Sequence, residues 1–197
     1  MPPVRAFVAI ESSRALLDAL ARLQSGLRSA PGGVAGRWVQ PEIAHLTLKF
    51  LGDVPSERIA DIARALDVTC ARRAPFTLQL RGLGCFPNTR RPRVVWAGVH
   101  EQSGALRALQ RDIELNLEAL GYPREGRAFA PHLTLARVRQ GAASVEIEAL
   151  GRSVAAHQPA ADVSLAQMLV REVVLFSSDL RPEGPRYTPL HRAALQS

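Results

Sequence analysis

The chain has 197 residues, 47% of them apolar, and carries a formal net charge of +7 at neutral pH. This size and apolar content predict a single domain with a substantial core, either undivided or built of two lobes. No apolar stretch is long enough to span a membrane, and the N-terminus lacks the pattern of a signal peptide, so we expect a soluble protein of the cytoplasm.

The positive charge indicates an anionic partner, most commonly nucleic acid, although a generally basic surface would give the same charge. All basic side chains except Lys49 are arginines, and arginine can bind phosphate through two hydrogen bonds at once. Cys70 and Cys85 show neither the spacing of a metal site nor that of a disulfide framework, so we expect reduced thiols.

The alternation and clustering of apolar residues predict a series of short strands and three helices. The strands fall, in chain order, at residues 4–10, 45–51, 76–81, 94–99, 132–138, 170–177 and 187–192. The first helix begins at Ser12 or Ser13 and is broken at Pro31, and the others cover residues 56–71 and 103–120. Residues 82–93 and the Ala-rich stretch 140–163 are predicted to be loops, the second with room for a short helix.

One tetrapeptide occurs twice, as His45-Leu46-Thr47-Leu48 and as His132-Leu133-Thr134-Leu135. Alternate side chains of a strand point to opposite faces, so His and Thr share one face and the two leucines share the other. The leucine face can pack on a helix while the His and Thr side chains point into a cleft. For one copy alone, a partly buried structural His is the more common explanation, but two identical copies favour a shared site.

The offset that carries His45 onto His132 also carries Arg37 onto Arg124 and the first helix onto the third. A strand, a helix, a loop and a motif strand therefore occur twice. We interpret the repeat as two similar lobes related by a pseudo-twofold axis, with one motif per lobe at a shared cleft. The short connections and many strands indicate an α+β fold with largely antiparallel sheets.

A pair of imidazoles suits the cleavage of a phosphodiester. Free imidazole titrates at about pH 6.5, so one His can be protonated as general acid while the other is neutral as general base. Thr47 and Thr134 can donate hydrogen bonds to the non-bridging oxygens, and a preorganised arginine can stabilise the growing charge. The residues alone leave open which His is the acid.

Neither a metal nor a cofactor is predicted. Two His residues without an evident third ligand make a poor zinc site, and the other three His residues lack useful spacing to the motifs. No Gly-x-Ser-x-Gly sequence indicates a serine nucleophile, and no partner for Cys85 is evident.

The paired His-x-Thr motifs, on predicted strands of a bilobal repeat, resemble the two-histidine (2H) phosphoesterase superfamily. Within it, the chain resembles the bacterial RNA 2′,3′-cyclic phosphodiesterases, also called 2′-5′ RNA ligases. The resemblance extends over nearly the whole chain, through Arg-x-Phe-x-Ala-Ile near the N-terminus, HLTLKFLG, PHLTLAR and the tail FSSDL…GPRYTPL.

The resemblance implies one bilobal domain over residues 1–197, with outer helices around a basic cleft that uses no metal. The implied reaction is hydrolysis of a terminal ribose 2′,3′-cyclic phosphate of RNA to a 2′-phosphomonoester. His45 would be the proton donor to the leaving 3′ oxygen, and His132 the proton acceptor that activates water. The phosphate would be bound by Thr47, Thr134 and Arg137. Ligase activity would be the reverse reaction, with a 5′-hydroxyl in place of water.

Other contacts have two explanations each. Phe7 is a candidate to stack on a base, although a core position is equally consistent, and the same holds for Tyr187. Several arginines are candidates to follow an RNA backbone, with solvated surface charge as the more common explanation; they are Arg37, Arg124, Arg127 and those of the loop 90–93.

Two further functions remain open from the sequence. One is a 2H phosphodiesterase of small cyclic nucleotides or 2′-5′ oligonucleotides, and the other is a non-catalytic module that binds RNA ends. Whichever function holds, we expect a monomer without membrane contact.

Overall fold

The computed structural model describes residues 3–160, 163–181 and 184–196, in which we number nine strands and four α-helices. The strands are β1 (Val4–Glu11), β2 (Gly36–Trp38), β3 (His45–Val54), β4 (Phe76–Phe86), β5 (Val94–His100), β6 (His132–Val138), β7 (Ala166–Val170), β8 (Glu172–Arg181) and β9 (Gly184–Ala194). The helices are α1 (Arg14–Ser29), α2 (Ile59–Cys70), α3 (Ala105–Glu118) and α4 (Ser144–Ala156). The side chain of Ser13 caps α1 by accepting the Leu16 N–H.

Two antiparallel sheets form two lobes. The first sheet has the strand order β3-β1-β8-β9, and the second has the order β2-β6-β5-β4-β7. Helices α2 and α3 pack on the first sheet, and α1 and α4 pack on the second. Each sheet contains one motif strand, so the α+β prediction of two lobes with outer helices and one motif each is confirmed.

The two halves of the sequence exchange elements between the lobes. Strand β4 comes from the first half of the chain but lies in the second sheet, whereas β8 and β9 come from the second half and lie in the first sheet. Likewise α1 follows a strand of the first sheet and packs on the second, and α3 does the reverse. Neither lobe is therefore one continuous repeat unit, and each lobe depends on chain from both halves.

One buried apolar cluster runs through both lobes and includes Leu46 and Ile113 of the first and Leu135 and Val154 of the second. A smaller cluster lies on the cleft face of the first sheet and consists of Phe7, Ala9, Val174 and Phe176, with Tyr187 packed against it. No described helix has both the length and the hydropathy needed to cross a bilayer.

The sequence predicted β4 too short because its glycines resemble a turn. The strand continues to Phe86, and Gly82, at a φ of +69°, lies where its register against β5 shifts. Gly84 lies beneath Trp96, since a Cβ there would stand 2.3 Å from the indole ring. The predicted loop 82–93 is therefore wrong over its first five residues.

Three other predictions need correction. The stretch 140–163 contains the full helix α4, whose weak pattern reflects small residues. Gly151 is required there because a Cβ would meet the Thr89 carbonyl oxygen at 1.8 Å; residues 161 and 162 lie outside the described part. The predicted strand 170–177 is two strands divided at Arg171, and the loop around Arg37 contains β2.

Candidate active site

The two motif strands present the same burial pattern to the cleft. In β3, Leu46 and Leu48 are buried while His45 and Thr47 are half-buried on the other face, and β6 repeats this arrangement residue for residue. The two strands approach each other, with Cα atoms within 8 Å. Strand alternation thus places both His-Thr pairs on the cleft face, as the sequence predicts.

A β-bulge interrupts each motif strand at the same point. In β3, Thr47 pairs with Ala9 and Lys49 with Val8, which leaves Leu48 as the extra residue. In β6 the extra residue is Leu135, between Thr134 opposite Trp96 and Ala136 opposite Val95. An extra residue reverses the alternation that follows it. Lys49 and Ala136 consequently point into the protein, while Phe50 and Arg137 are exposed on the cleft face.

Each bulge is stabilised by a glutamine from a helix. The Gln24 side-chain amide of α1 donates to the carbonyls of Leu135, at 2.9 Å, and Val39, at 2.7 Å. The Gln110 amide of α3 donates to the Leu48 carbonyl at 3.3 Å. The two bulged carbonyls are therefore satisfied by equivalent contacts, which fix the strand where it turns Phe50 and Arg137 outward.

Both motif histidines are oriented by a backbone carbonyl two residues earlier. The Nδ1–H of His45 donates to the Ile43 carbonyl at 2.9 Å, and that of His132 donates to the Ala130 carbonyl at 2.7 Å. A carbonyl can only accept, so Nδ1 must carry a hydrogen in both rings. This leaves Nε2 of each ring as the atom available to a substrate.

Burial lowers the pKa of both histidines below the usual value for imidazole. The backbone carbonyl that each Nδ1–H contacts partly opposes this shift in pKa. The nearby Arg137 charge lowers the pKa of His132 further. The neutral form is thus favoured at both sites, and at His132 a fixed positive charge adds to that preference.

Aromatic rings surround His45. Its ring lies 4.7 Å from that of Phe7 and 5.0 Å, edge-on, from that of Tyr187, measured between centroids. Phe7 stacks on Phe176 at 5.3 Å. Burial raises the pKa of the Tyr187 hydroxyl, and the charge of Arg137 partly opposes this. Because Arg137 belongs to the second sheet and Tyr187 to the first, this interaction spans the cleft.

The surroundings of His132 are also aromatic but more open. The Phe86 ring meets His132 edge-on at 4.9 Å, and the Trp96 ring lies at 6.4 Å. The cleft therefore has two imidazoles on apolar walls and a guanidinium whose charge acts on His132 and Tyr187. Such a site concentrates an anion beside two proton-transfer groups.

The structure thus places His45, Thr47, His132, Thr134 and Arg137 on the cleft faces of two neighbouring strands, and their roles in catalysis and binding stay predictions. The prediction that Phe7 stacks on a base needs correction, because its side chain is only 3% exposed and has no free ring face. Phe7 packs against His45 instead. No group of three or more His, Cys, Asp or Glu side chains is arranged to bind a metal within the described ranges.

Sequence reasoning missed Phe50, Trp96 and the two glutamines. Phe50 had a signal, because the offset that carries His45 onto His132 also carries Phe50 onto Arg137. The glutamines had none, since their partners are carbonyls of remote strands. Of the candidate arginines, Arg37 lies in β2 opposite Arg137, whereas Arg124 forms an exposed ion pair with Glu118.

Comparison with known proteins identifies the family. The sequence model of the LigT-like phosphoesterases matches residues 10–96 and 98–187, and each of these segments contains one motif. The chain belongs to the LigT-like phosphoesterase family. Membership accounts for the paired motifs, and it confirms the resemblance to the 2H phosphoesterases.

Individual relatives of this phosphoesterase are similar over nearly their full length. A protein of Methanothermobacter thermautotrophicus named RNA 2′,3′-cyclic phosphodiesterase is 37% identical over 187 residues, which are 95% of this chain and 96% of the relative. A crystal structure from Thermus thermophilus has a TM-score of 0.77 and 31% identity, with 98% of each chain covered. E. coli LigT complexed with 3′-AMP has a TM-score of 0.72 and 28% identity, with 99% of each chain covered.

Proposed function

We propose that this protein is an RNA 2′,3′-cyclic phosphodiesterase that converts a terminal ribose 2′,3′-cyclic phosphate to a 2′-phosphomonoester. The observation that carries the proposal is the matched setting of His45 and His132. Each donates Nδ1–H to a carbonyl two residues earlier, which leaves both Nε2 atoms for one cleft. The name of the Methanothermobacter relative supports the substrate class.

The proposed reaction moves one proton at each side of phosphorus. Nε2 of neutral His132 takes a proton from water as the water oxygen attacks phosphorus. The bond from phosphorus to the 3′ oxygen breaks, and protonated His45 gives its Nε2 proton to that oxygen. The product is a 2′-phosphomonoester, with His132 protonated and His45 neutral. Proton exchange with solvent restores the starting state.

The position of Arg137 supports His132 as the base. Its charge lowers the pKa of His132 and so favours the neutral ring that a proton acceptor needs. The same guanidinium is exposed on the cleft face, where it can bind the non-bridging oxygens. Thr47 and Thr134 flank the site from the two strands and are proposed to donate hydrogen bonds to those oxygens.

Ligation would follow the same steps in reverse, with a 5′-hydroxyl as the attacking group.

We further propose that residues 1–197 act as one catalytic domain, in the form of a cytoplasmic monomer. A core that continues through both lobes supports the first of these points. Cys70 and Cys85 are free and buried, in agreement with thiols that stay reduced.

The test is turnover of a short RNA that ends in a 2′,3′-cyclic phosphate, with EDTA present. Wild type, His45→Ala, His132→Ala and the exposed-site control His100→Ala are compared, and the products are separated by chromatography. We expect a 2′-phosphate from wild type and the control, with at least a ~100-fold loss in each motif variant. Absence of wild-type turnover would refute the proposal. A 3′-phosphate product would reverse the ester oxygen that leaves.

A further inference from the structure

Phe50 is an exposed aromatic side chain on the cleft face of β3. It is 61% exposed, although its strand neighbours Leu48 and Lys49 are buried. The bulge at Leu48 turns it to the face that carries His45 and Thr47. Its ring centroid is 6.2 Å from that of Phe7, which itself lies 4.7 Å from His45. An exposed aromatic ring is thus one side chain away from a motif histidine.

The two halves of the site differ at this position. Phe50 in β3 and Arg137 in β6 each follow a motif bulge by two residues, so they are equivalent in the pseudo-symmetric cleft. One half therefore offers a cation and the other an apolar ring face. A nucleoside cyclic phosphate has the same division, since the charged phosphate and the aromatic base lie on opposite sides of the sugar.

We propose that Phe50 is the residue on which the base of the terminal nucleotide stacks, so that the base lies on the β3 side and the phosphate on the Arg137 side. The inference rests on the proposed function and adds the direction in which the substrate lies. Stacking on an aromatic ring accepts any base, because every base has a π face. The proposal therefore predicts affinity for nucleotides without strong base preference.

Exposure of Phe50 also argues against a structural role. An apolar side chain that is more than half exposed contributes little to the core, whereas a base placed on it would cover its free face. Phe7 lies below it as a buried support and is enclosed on its other sides by His45, Phe176 and Tyr187.

The experiment measures binding by calorimetry rather than turnover, so it does not depend on the proposed reaction. The ligands are 2′-AMP and inorganic phosphate. The variants are Phe50→Ala, Phe50→Trp and the control Val145→Ala, whose side chain is also exposed but lies on α4. We expect Phe50→Ala to weaken 2′-AMP about tenfold or more while phosphate binding stays unchanged. Phe50→Trp and the control should bind 2′-AMP at least as well as wild type.

Three results would overturn the inference. These are an unchanged affinity of Phe50→Ala for 2′-AMP, an equal loss for 2′-AMP and phosphate, and a wild type that binds both ligands equally. Failure of the proposed function is a separate outcome, seen as absence of RNA turnover with wild type.

Discussion

Arg37 and Arg137 lie directly opposite each other in the paired strands β2 and β6. Both are exposed, and directly opposed residues of an antiparallel pair project from the same face. Neither is ion-paired with a described carboxylate. Two like charges in this position repel each other, so an anion bound between them would stabilise the pair. We therefore expect Arg37 to be a second phosphate contact beside the predicted Arg137.

Replacement of Arg37 should therefore move stability and substrate binding in opposite directions. In Arg37→Gln we expect the free energy of unfolding to rise by up to about 1 kcal/mol, because like-charge repulsion is removed. The KM for the cyclic phosphate RNA should rise several-fold at low salt, and the effect should shrink as salt increases. Urea unfolding and steady-state kinetics measure the two effects. Arg22→Gln on α1 is a matched exposed control, and an unchanged KM with lower stability would contradict the assignment.

The pH dependence of kcat/KM should show the lowered pKa values of both histidines. The reaction needs one ring protonated and the other neutral, so the bell-shaped profile is centred at the mean of the two values. Burial lowers both, and the optimum should lie below about pH 6.5. Arg137→Gln removes the charge that lowers the pKa of His132. The kcat/KM of this variant should be lower than that of wild type, and its maximum should lie at higher pH. A wild-type optimum above about pH 7 would contradict this reasoning.

Lys49 and Glu114 form an ion pair whose side chains are 0% and 7% exposed. Lys49→Met should lower the free energy of unfolding by about 3–5 kcal/mol, because the Glu114 carboxylate remains buried without its cation. The double variant Lys49→Met/Glu114→Gln should recover part of this loss, since it removes the second charge as well. Urea denaturation at neutral pH compares them with Arg152→Met, which breaks an exposed pair with Glu148 and should cost little. A double variant less stable than Lys49→Met would refute the account.

The bulge in β6 should depend on Gln24. Gln24→Leu removes the donor to two carbonyls, and we expect stability to fall by roughly 1–3 kcal/mol. Because that bulge sets the direction of Arg137, kcat/KM should also fall. The assay is run well below the unfolding temperature, so that the loss does not reflect unfolded protein. The control is Val154→Ala, a buried α4 substitution that should lower stability while it leaves both Gln24 hydrogen bonds in place. Equal kcat/KM values in Gln24→Leu and Val154→Ala would contradict the prediction, because Gln24 would then affect stability alone.

The sequence predicted the parts of the fold that depend on local pattern. Both motif strands, the Ser13 cap and the stripe of α3 follow from alternation, capping and helical periodicity, which neighbouring residues determine. The full length of helix α4 was not predicted because its close packing requires Gly151 and other small residues, which weaken an amphipathic pattern. Gly82 and Gly84 resembled a turn because nothing local distinguishes a turn from a bulge or from room made for Trp96.

The candidate site was predictable in its repeated residues and not in those that break the repeat. His45 and His132 could be paired from the sequence because their motifs are identical. The exposure of Phe50 depends on a bulge that pairing with β1 creates, and the position of Arg37 depends on pairing with β6. The exchange of helices between the lobes likewise depends on contacts between residues far apart in the sequence. Because the helices of the two halves have similar patterns, the sequence does not show on which sheet each helix packs.

The burial of Lys49 also determines the surface chemistry of the protein. It is the chain's one lysine, and its ammonium group donates to Glu114 and to the Pro123 carbonyl inside the fold. Amine-reactive reagents such as succinimidyl esters should therefore find no accessible lysine side chain on the native protein. The abundant arginines give the surface its positive charge without offering a lysine amine for acylation. Modification of Lys49 by such a reagent would thus report opening of the fold.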